Sequence, residues 1–194
     1  MVPLIGKSSK IPEGKITITY EQYLQEIHLL VVNLEKEMER ELGKERAHEL
    51  LRRAGDNFGK ELARKQMGDR RGLRDFDEFK AFWKGILRTP TWTHTQDSKV
   101  VSENATRLKM RVDECLWAET FKKMGCPELG YLLCCYPDYE MVRTYDPRIR
   151  LERSKTLMLG DDHCNHVFIW KEDSSKSKEA RKKSKSPGRK KKNQ

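Results

Sequence analysis

This sequence predicts an α+β domain, with helices in its first half, then an antiparallel sheet of about four strands with short helices packed on it. Three observations carry that expectation. Apolar residues recur at helical spacing as far as Leu87, the pattern switches to period two around Leu108, and two β-rich runs close the last third.

Over 20–43, Tyr23, Leu24, Ile27, Leu30, Val31, Leu34 and Met38 stand three and four apart, as in an amphipathic helix, and Thr19 is placed to cap it. A second helix is predicted over 44–67, with Ala47, Leu50, Leu51, Ala54, Phe58, Leu62 and Ala63 on its stripe. Gly55 and Gly59 lower its propensity and suit close packing. Asp75 caps a third helix carrying Phe76, Phe79, Phe82, Trp83, Ile86 and Leu87 until Pro90 stops it. The Thr- and Val-rich run over 92–101 reads as a strand. So does the alternation of Leu108, Met110 and Val112 with charged neighbours, the two being joined near 103–106. Helical spacing returns through Cys115, Ala118 and Phe121 and ends at Gly125. Pro127 and Glu128 suit a fresh helix start, continued by Leu129, Leu132, Leu133 and Tyr136, with a kink or restart expected at Pro137 before Asp146 and Pro147 close the segment. Residues 151–159 and 164–171 read as two last strands around the turn Gly160, Asp161, Asp162, His163.

A length of 194 residues supports one hydrophobic core. The apolar and charged fractions both stand at 36%, but the C-terminus skews them. From Lys171 onward eleven Lys and Arg face only Glu172, Asp173 and Glu179, so +8 of the formal +10 sits there and the rest is nearly neutral. The expected organisation is an N-terminal extension over 1–18, a single domain over 19–170 and a disordered basic tail over 171–194. The tail's charge predicts non-specific, salt-sensitive contact with anionic polymers. Specific nucleic-acid reading is not expected, because no aromatic side chain stands among its lysines for a base to stack on.

The opening residues hold too short an apolar run for a signal peptide, and no later run approaches a membrane span. A cytoplasmic protein with no membrane partner is therefore expected. The five cysteines, Cys115, Cys126, Cys134, Cys135 and Cys164, are an odd number and read as reduced thiols. None is spaced as C-x-x-C, so no metal or other cofactor is expected, and any metal site would have to be assembled from distant positions.

Reactive residue types are densest between Cys115 and His166. Cys135 and Asp138 are three apart and Cys134 and Asp138 four apart, so an uninterrupted helix would set either thiol beside that carboxylate. Asp161, Asp162, His163, Cys164 and His166 bring acid, base and nucleophile types together, and in a strand Cys164 and His166 share a face. A thiolate beside a cationic group is a competent nucleophile, and an aspartate within reach can activate water. The competing account is structural. Cysteine is among the most buried residue types, Asp161 and Asp162 suit a turn, and His166 suits a strand interior.

Four spaced motifs occur in order: C-x-W from Cys115, C-x-x-D from Cys135 to Asp138, R-x-K-T-L from Arg153 to Leu157, and G-D-x-x-C from Gly160 to Cys164. In combination they resemble the L-2-amino-thiazoline-4-carboxylic acid hydrolase family. The resemblance implies a hydrolase that opens a small cyclic amidine at a C–N bond, on a route to carbamoyl-cysteine, with a small-molecule substrate as partner. It places weight on Cys115, Cys135, Asp138, Arg153, Thr156, Gly160, Asp161 and Cys164, whereas His166 stands where relatives vary between His and Phe. Cys135, Asp138 and Cys164 are the expected catalytic residues, and Cys115, Arg153, Thr156, Asp161 and His166 the expected substrate-binding ones. Either a Cys135 or Cys164 thiolate attacks the electrophilic carbon, or Asp138 activates water to do so. Arg153 or Lys155 is positioned to clamp a substrate carboxylate, with Arg153 favoured by its bidentate geometry. The final segment, Gly160 to Cys164 followed by an apolar strand, is also similar to the 4-vinyl-reductase type of ligand-binding domain, which implies the alternative of a pocket that binds without transforming.

Overall fold

The computed structural model of the protein describes residues 18–70 and 72–171. The extension over 1–18 and the basic tail over 171–194 lie outside the described residues, apart from Ile18 and Lys171.

Helix α1 (Tyr20–Leu42) starts at a capping box: the Thr19 hydroxyl accepts from Gln22 N at 3.1 Å while Gln22 Oε1 accepts from Thr19 N at 2.9 Å. Gly43, at φ 78°, reverses the chain into α2 (Lys44–Met67). The apolar stripe expected for α1 is rotated. Leu24, Val32 and Glu35 are buried, whereas Tyr23, Ile27, Leu30 and Leu34 face solvent. Only one flank of the wide apolar surface meets α2, and nothing among the described residues covers the other.

On α2 the buried line is Ala47, His48, Leu51, Gly55, Gly59, Ala63 and Met67, while the predicted Phe58 and Ala54 point outward. The two glycines lie on this face because a later helix crosses there. Helix α3 (Phe76–Ile86) is capped by Asp75, whose carboxylate accepts from Glu78 N at 2.9 Å. Pro90 does not merely end α3. It opens α4 (Pro90–Thr93), a single turn that occupies the start of the strand expected over 92–101, since proline is pre-set for the first helical position.

Strands β1 (Gln96–Glu103) and β2 (Arg107–Cys115) form the expected hairpin, closed by Asn104, whose side-chain oxygen accepts from Thr106 N and Arg107 N. Leu108, Met110 and Val112 point inward as their alternation requires. Helices α5 (Leu116–Lys123) and α6 (Pro127–Gly130) lead into a π turn (Tyr131–Cys135) and then α7 (Pro137–Tyr145). Pro137 causes the π turn. It has no N–H to offer, and widening the helix so that Tyr136 N donates to Tyr131 O at 2.8 Å accommodates its ring against the preceding carbonyls.

Strands β3 (Ile149–Glu152) and β4 (Cys164–Trp170) complete an antiparallel sheet of order β1-β2-β4-β3. The strand predicted over 151–159 is thus shorter and begins earlier. After Glu152 the Asn165 side chain accepts from Ser154 N and Lys155 N, drawing the chain off the sheet. It continues into a 3-10 turn (Leu157–Leu159) that ends at Gly160, φ 102°. The Gly160–His163 segment is therefore the end of an eleven-residue excursion over 153–163, not a tight hairpin turn.

One core lies between the sheet and α2, α3 and α7, around Phe79, Trp83, Leu108, Met110, Val142 and Phe168. A second, around Val32, Leu51, Phe121, Leu129, Leu132 and Met158, fills the end where α1, α2, α5 and α6 meet. Phe79, Phe121 and Phe168 are completely buried, each contributing about 1.5–3 kcal/mol. Among the described residues no helix is long and apolar enough to cross a membrane.

Candidate functional site

The 153–163 excursion folds back over the junction of the π turn and α7, bringing together residues remote in sequence. Thr156 is the node. Its hydroxyl lies 3.9 Å from Cys135 Sγ and 3.8 Å from Cys164 Sγ, and it caps the 3-10 turn by accepting from Met158 N at 3.3 Å. Cys164 Sγ also accepts from Leu157 N at 3.2 Å. Thr156 is held from behind by Asp161, whose carboxylate accepts from Thr156 N at 2.7 Å while Asp161 N donates to Thr156 O at 3.2 Å.

Asp138 forms a second node one helical turn beyond Cys135. Its Oδ2 receives Arg153 Nη2 at 3.1 Å and lies 3.9 Å from His166 Nε2, so both approach the same oxygen. The Arg153 side chain is only 3% exposed, whereas that of Asp138 is 30% exposed, leaving the carboxylate an outward side. Arg153 also donates to the Cys135 carbonyl at 2.8 Å and lies over the Tyr139 ring at 5.2 Å. Its Nε and His166 Nδ1 are buried without a hydrogen-bond partner among the described residues. His166 is carried on β4 with Cys164 and Phe168 on the inward face, as period two requires.

The electrostatics separate thiols from carboxylate. Burial pushes the Cys135 thiol up to about 12, outweighing the opposing pull of Arg153. Burial likewise pushes Cys115 to about 11 and Cys134 well above the ordinary thiol value. The three are thiols at neutral pH, not thiolates. Burial raises the Asp138 carboxyl as well, opposed by the charge and hydrogen bond of Arg153. His166 is lowered to about 3 by burial and then by Arg153, which outweigh the attraction of a carboxylate at 3.9 Å, so the ring is neutral.

Of the residues singled out in the sequence, Cys135, Asp138, Cys164, Arg153, Thr156 and His166 therefore meet in one cluster. Cys115, at the end of β2, is close enough for Cys164 and Asp138 to influence its thiol. Asp161 stands behind Thr156 as a support, and Lys155 turns to the surface to pair with Asp162 at 2.8 Å. Sequence reasoning missed Tyr139 and Tyr131. Tyr139 lies beneath Arg153, and the Tyr131 phenol is pushed up to about 12 by burial and by Tyr139. The available signal was position: Tyr139 adjoins Asp138 and follows Cys135 by four.

A surface recess of about 500 Å³ lined by Tyr136, Tyr139, Arg150 and Leu151 borders the cluster through Tyr139. A larger groove of about 1010 Å³ runs between α1, α2 and α3, lined by Tyr20, Phe58, Leu62 and Phe82, and touches none of the clustered residues.

The profile of the L-2-amino-thiazoline-4-carboxylic acid hydrolase family matches residues 23–168. No curated protein sequence matches the chain. Among solved structures it is similar to the phenol-responsive sensory domain of the transcription activator PoxR with phenol, at 15% identity and TM-score 0.47, covering 86% of this chain and 82% of that one. It is also similar to a trafficking protein particle complex subunit 3 from Naegleria fowleri covalently bound to palmitic acid, at 15% identity and TM-score 0.48, covering 78% of this chain and 97% of that one. With its match running from α1 into β4, the chain belongs to the L-2-amino-thiazoline-4-carboxylic acid hydrolase family.

Proposed function

We propose that the protein hydrolyses a C–N bond in a small cyclic amidine of the 2-amino-thiazoline-4-carboxylate type, with Asp138 as the general base. The observation that carries this reading is the Asp138 carboxylate itself. Arg153 and His166 both approach its Oδ2, which leaves Oδ1 for water, and its side chain is 30% exposed.

Water bound at Oδ1 gives a proton to Asp138 as its oxygen bonds to the amidine carbon, and Asp138 passes that proton to the ring nitrogen as the double bond is lost. Asp138, again a carboxylate, then takes the hydroxyl proton of the tetrahedral adduct as the carbon–oxygen double bond forms and the ring C–N bond breaks. It delivers this second proton to the departing nitrogen, which leaves as an amine, so the base is regenerated and one water is consumed. A raised carboxyl suits both transfers, since it brings the base nearer to the working pH. Cys135, Cys164 and Thr156 form the wall of the site. Attack by a Cys135 thiolate is disfavoured because that thiol stays protonated at neutral pH.

Incubating the purified full chain with 2-amino-thiazoline-4-carboxylate and following the hydrated, ring-opened product by mass spectrometry tests the proposal. Turnover is expected. Asp138→Asn should lower kcat by about 10²–10⁴, whereas Cys135→Ser and Cys164→Ser should retain most activity. Saturable binding of the thiazoline with no product would replace hydrolysis by the binding-only alternative, and loss of turnover in Cys135→Ser with an unchanged melting temperature would restore the thiol as nucleophile.

A further inference from the structure

Away from the cysteine and aspartate cluster, the hinge between α1 and α2 holds a second group of polar side chains. Glu35 and Glu39 lie one turn apart on α1, and the reversal at Gly43 brings His48 of α2 back against them. His48 Nε2 is 2.7 Å from Glu39 Oε1 and 3.4 Å from Glu35 Oε1. One ligand atom from each of the three residues fits within 4.8 Å of the other two.

Glu35 sets this group apart from an ordinary acidic surface. It is 1% exposed, and both of its carboxylate oxygens are buried without a hydrogen-bond partner among the described residues. A buried, unpartnered carboxylate is costly unless a charge compensates it. Lys44, whose charge reaches Glu35, is itself engaged by Glu128 at the surface. Burial and the adjacent Glu39 both raise the Glu35 carboxyl, against weaker opposition from His48 and Lys44.

We propose that Glu35, Glu39 and His48 form a binding site for a divalent transition-metal ion that clamps α1 to α2. Two carboxylates and an imidazole are a donor set for the zinc, cobalt and manganese group. Calcium fits less well, because it requires more oxygens. Metal–ligand lengths near 2.0–2.2 Å put tetrahedral donors about 3.3 Å apart, so the group needs only a slight opening at His48 and Glu39. The Glu39 side chain, 31% exposed, leaves an outward position for water. Two carboxylates with a neutral imidazole balance the charge of the ion. The site lies beside the second core, so its role is to fix the helix hairpin and not to act on substrate.

Cobalt(II) is the probe that separates this site from the cysteines. The full chain, stripped with a chelator and titrated with Co²⁺, should bind one equivalent with weak d–d bands and no thiolate-to-cobalt charge-transfer absorption. The ion should also raise the melting temperature. Glu39→Gln and His48→Gln should each weaken binding by at least about tenfold while leaving the stripped protein's melting temperature nearly unchanged. If His48→Gln fails to fold, the partly exposed Glu39→Gln decides alone. A charge-transfer band, or affinity unchanged in Glu39→Gln, would place the ion on the thiols and overturn the proposal. An absence of saturable binding would equally overturn it, leaving Glu35 and Glu39 as a pair sharing a proton.

Discussion

Arg153 Nη2 donates at once to Asp138 Oδ2, at 3.1 Å, and to the Cys135 carbonyl, at 2.8 Å, from a side chain that is almost fully enclosed. This fork ties the excursion after β3 to the start of α7, and it fixes both the position and the charge of the carboxylate. Sequence alone favours Arg153 as the clamp for a substrate carboxylate, but in the structure its terminal nitrogen is already committed to the protein.

Removing that guanidinium leaves Asp138 without its compensating charge and the Cys135 carbonyl without its donor. Arg153→Met is therefore expected to destabilise the fold by about 3 kcal/mol, the low end for a broken buried pair because Asp138 is partly exposed. Arg153→Lys keeps the charge, loses the fork, and should recover only part of the deficit. Urea unfolding at neutral pH measures both. A neutral Arg153→Met would mean that the pair holds nothing together.

His166 links the same site to acid stability. Its pKa is lowered to about 3 in the folded chain from an ordinary 6.5, so the unfolded chain binds the extra proton first. The sign follows: the contribution to stability is fully present above about pH 6.5 and is lost as pH falls through the folded value near 3. Between pH 6.5 and about 4.5 the wild type should lose about 2–3 kcal/mol more than His166→Gln. Asp138, with its raised carboxyl, acts in the opposite direction in both proteins, so the comparison isolates the imidazole. Parallel pH profiles for the two would show that His166 is not held neutral.

The raised thiols make a chemical prediction. With Cys135 near 12 and Cys115 near 11, the ionised fraction at neutral pH is minute. Alkylation of both by iodoacetamide in the native protein should be on the order of a hundredfold slower than for a free cysteine, or slower still. Peptide mapping by mass spectrometry after timed quenching reads each site separately. Rapid labelling of Cys135 would establish a thiolate there and revive covalent attack.

Much of this architecture was legible in local sequence signals. Thr19 and Asp75 cap the helices they were expected to cap, and period two on Leu108, Met110 and Val112 fixed the inward face of β2. The failures have physical causes. On α1 the apolar residues cover more surface than one packing partner occupies, so spacing could not say which flank would be buried. Residues 153–159 read as strand because their residue types allow it, yet Asn165 captures the backbone amides of Ser154 and Lys155 and diverts the chain. That diversion builds the Thr156 node between Cys135 and Cys164, a non-local outcome that no window of sequence contains. The Glu35, Glu39 and His48 group was missed for a similar reason. Glu35 occupies a helix face that only the turn at Gly43 turns into an interior.

The approach of α2 to α7 gives the sharpest steric test, because α7 carries Asp138. A Cβ on Gly59 would lie 2.5 Å from Pro137 O and 3.1 Å from Met141 N, both backbone atoms that cannot rotate away. Gly59→Ala must therefore push the helices apart, and about 3 kcal/mol of destabilisation is expected, at the upper end for overpacking. Gly85, in the last turn of α3, provides the control, since nothing lies within 4 Å of the place a methyl group would take there and its backbone is helical. At that position alanine removes only backbone freedom from the unfolded chain, so Gly85→Ala should be neutral or stabilising by up to about 1 kcal/mol. The same exchange of hydrogen for methyl thus has opposite expected signs at two helical glycines, and thermal unfolding of the two variants side by side measures it. Equal effects at both positions would mean that α2 and α7 do not pack through Gly59, and the placement of Asp138 against Arg153 would lose its support from that contact.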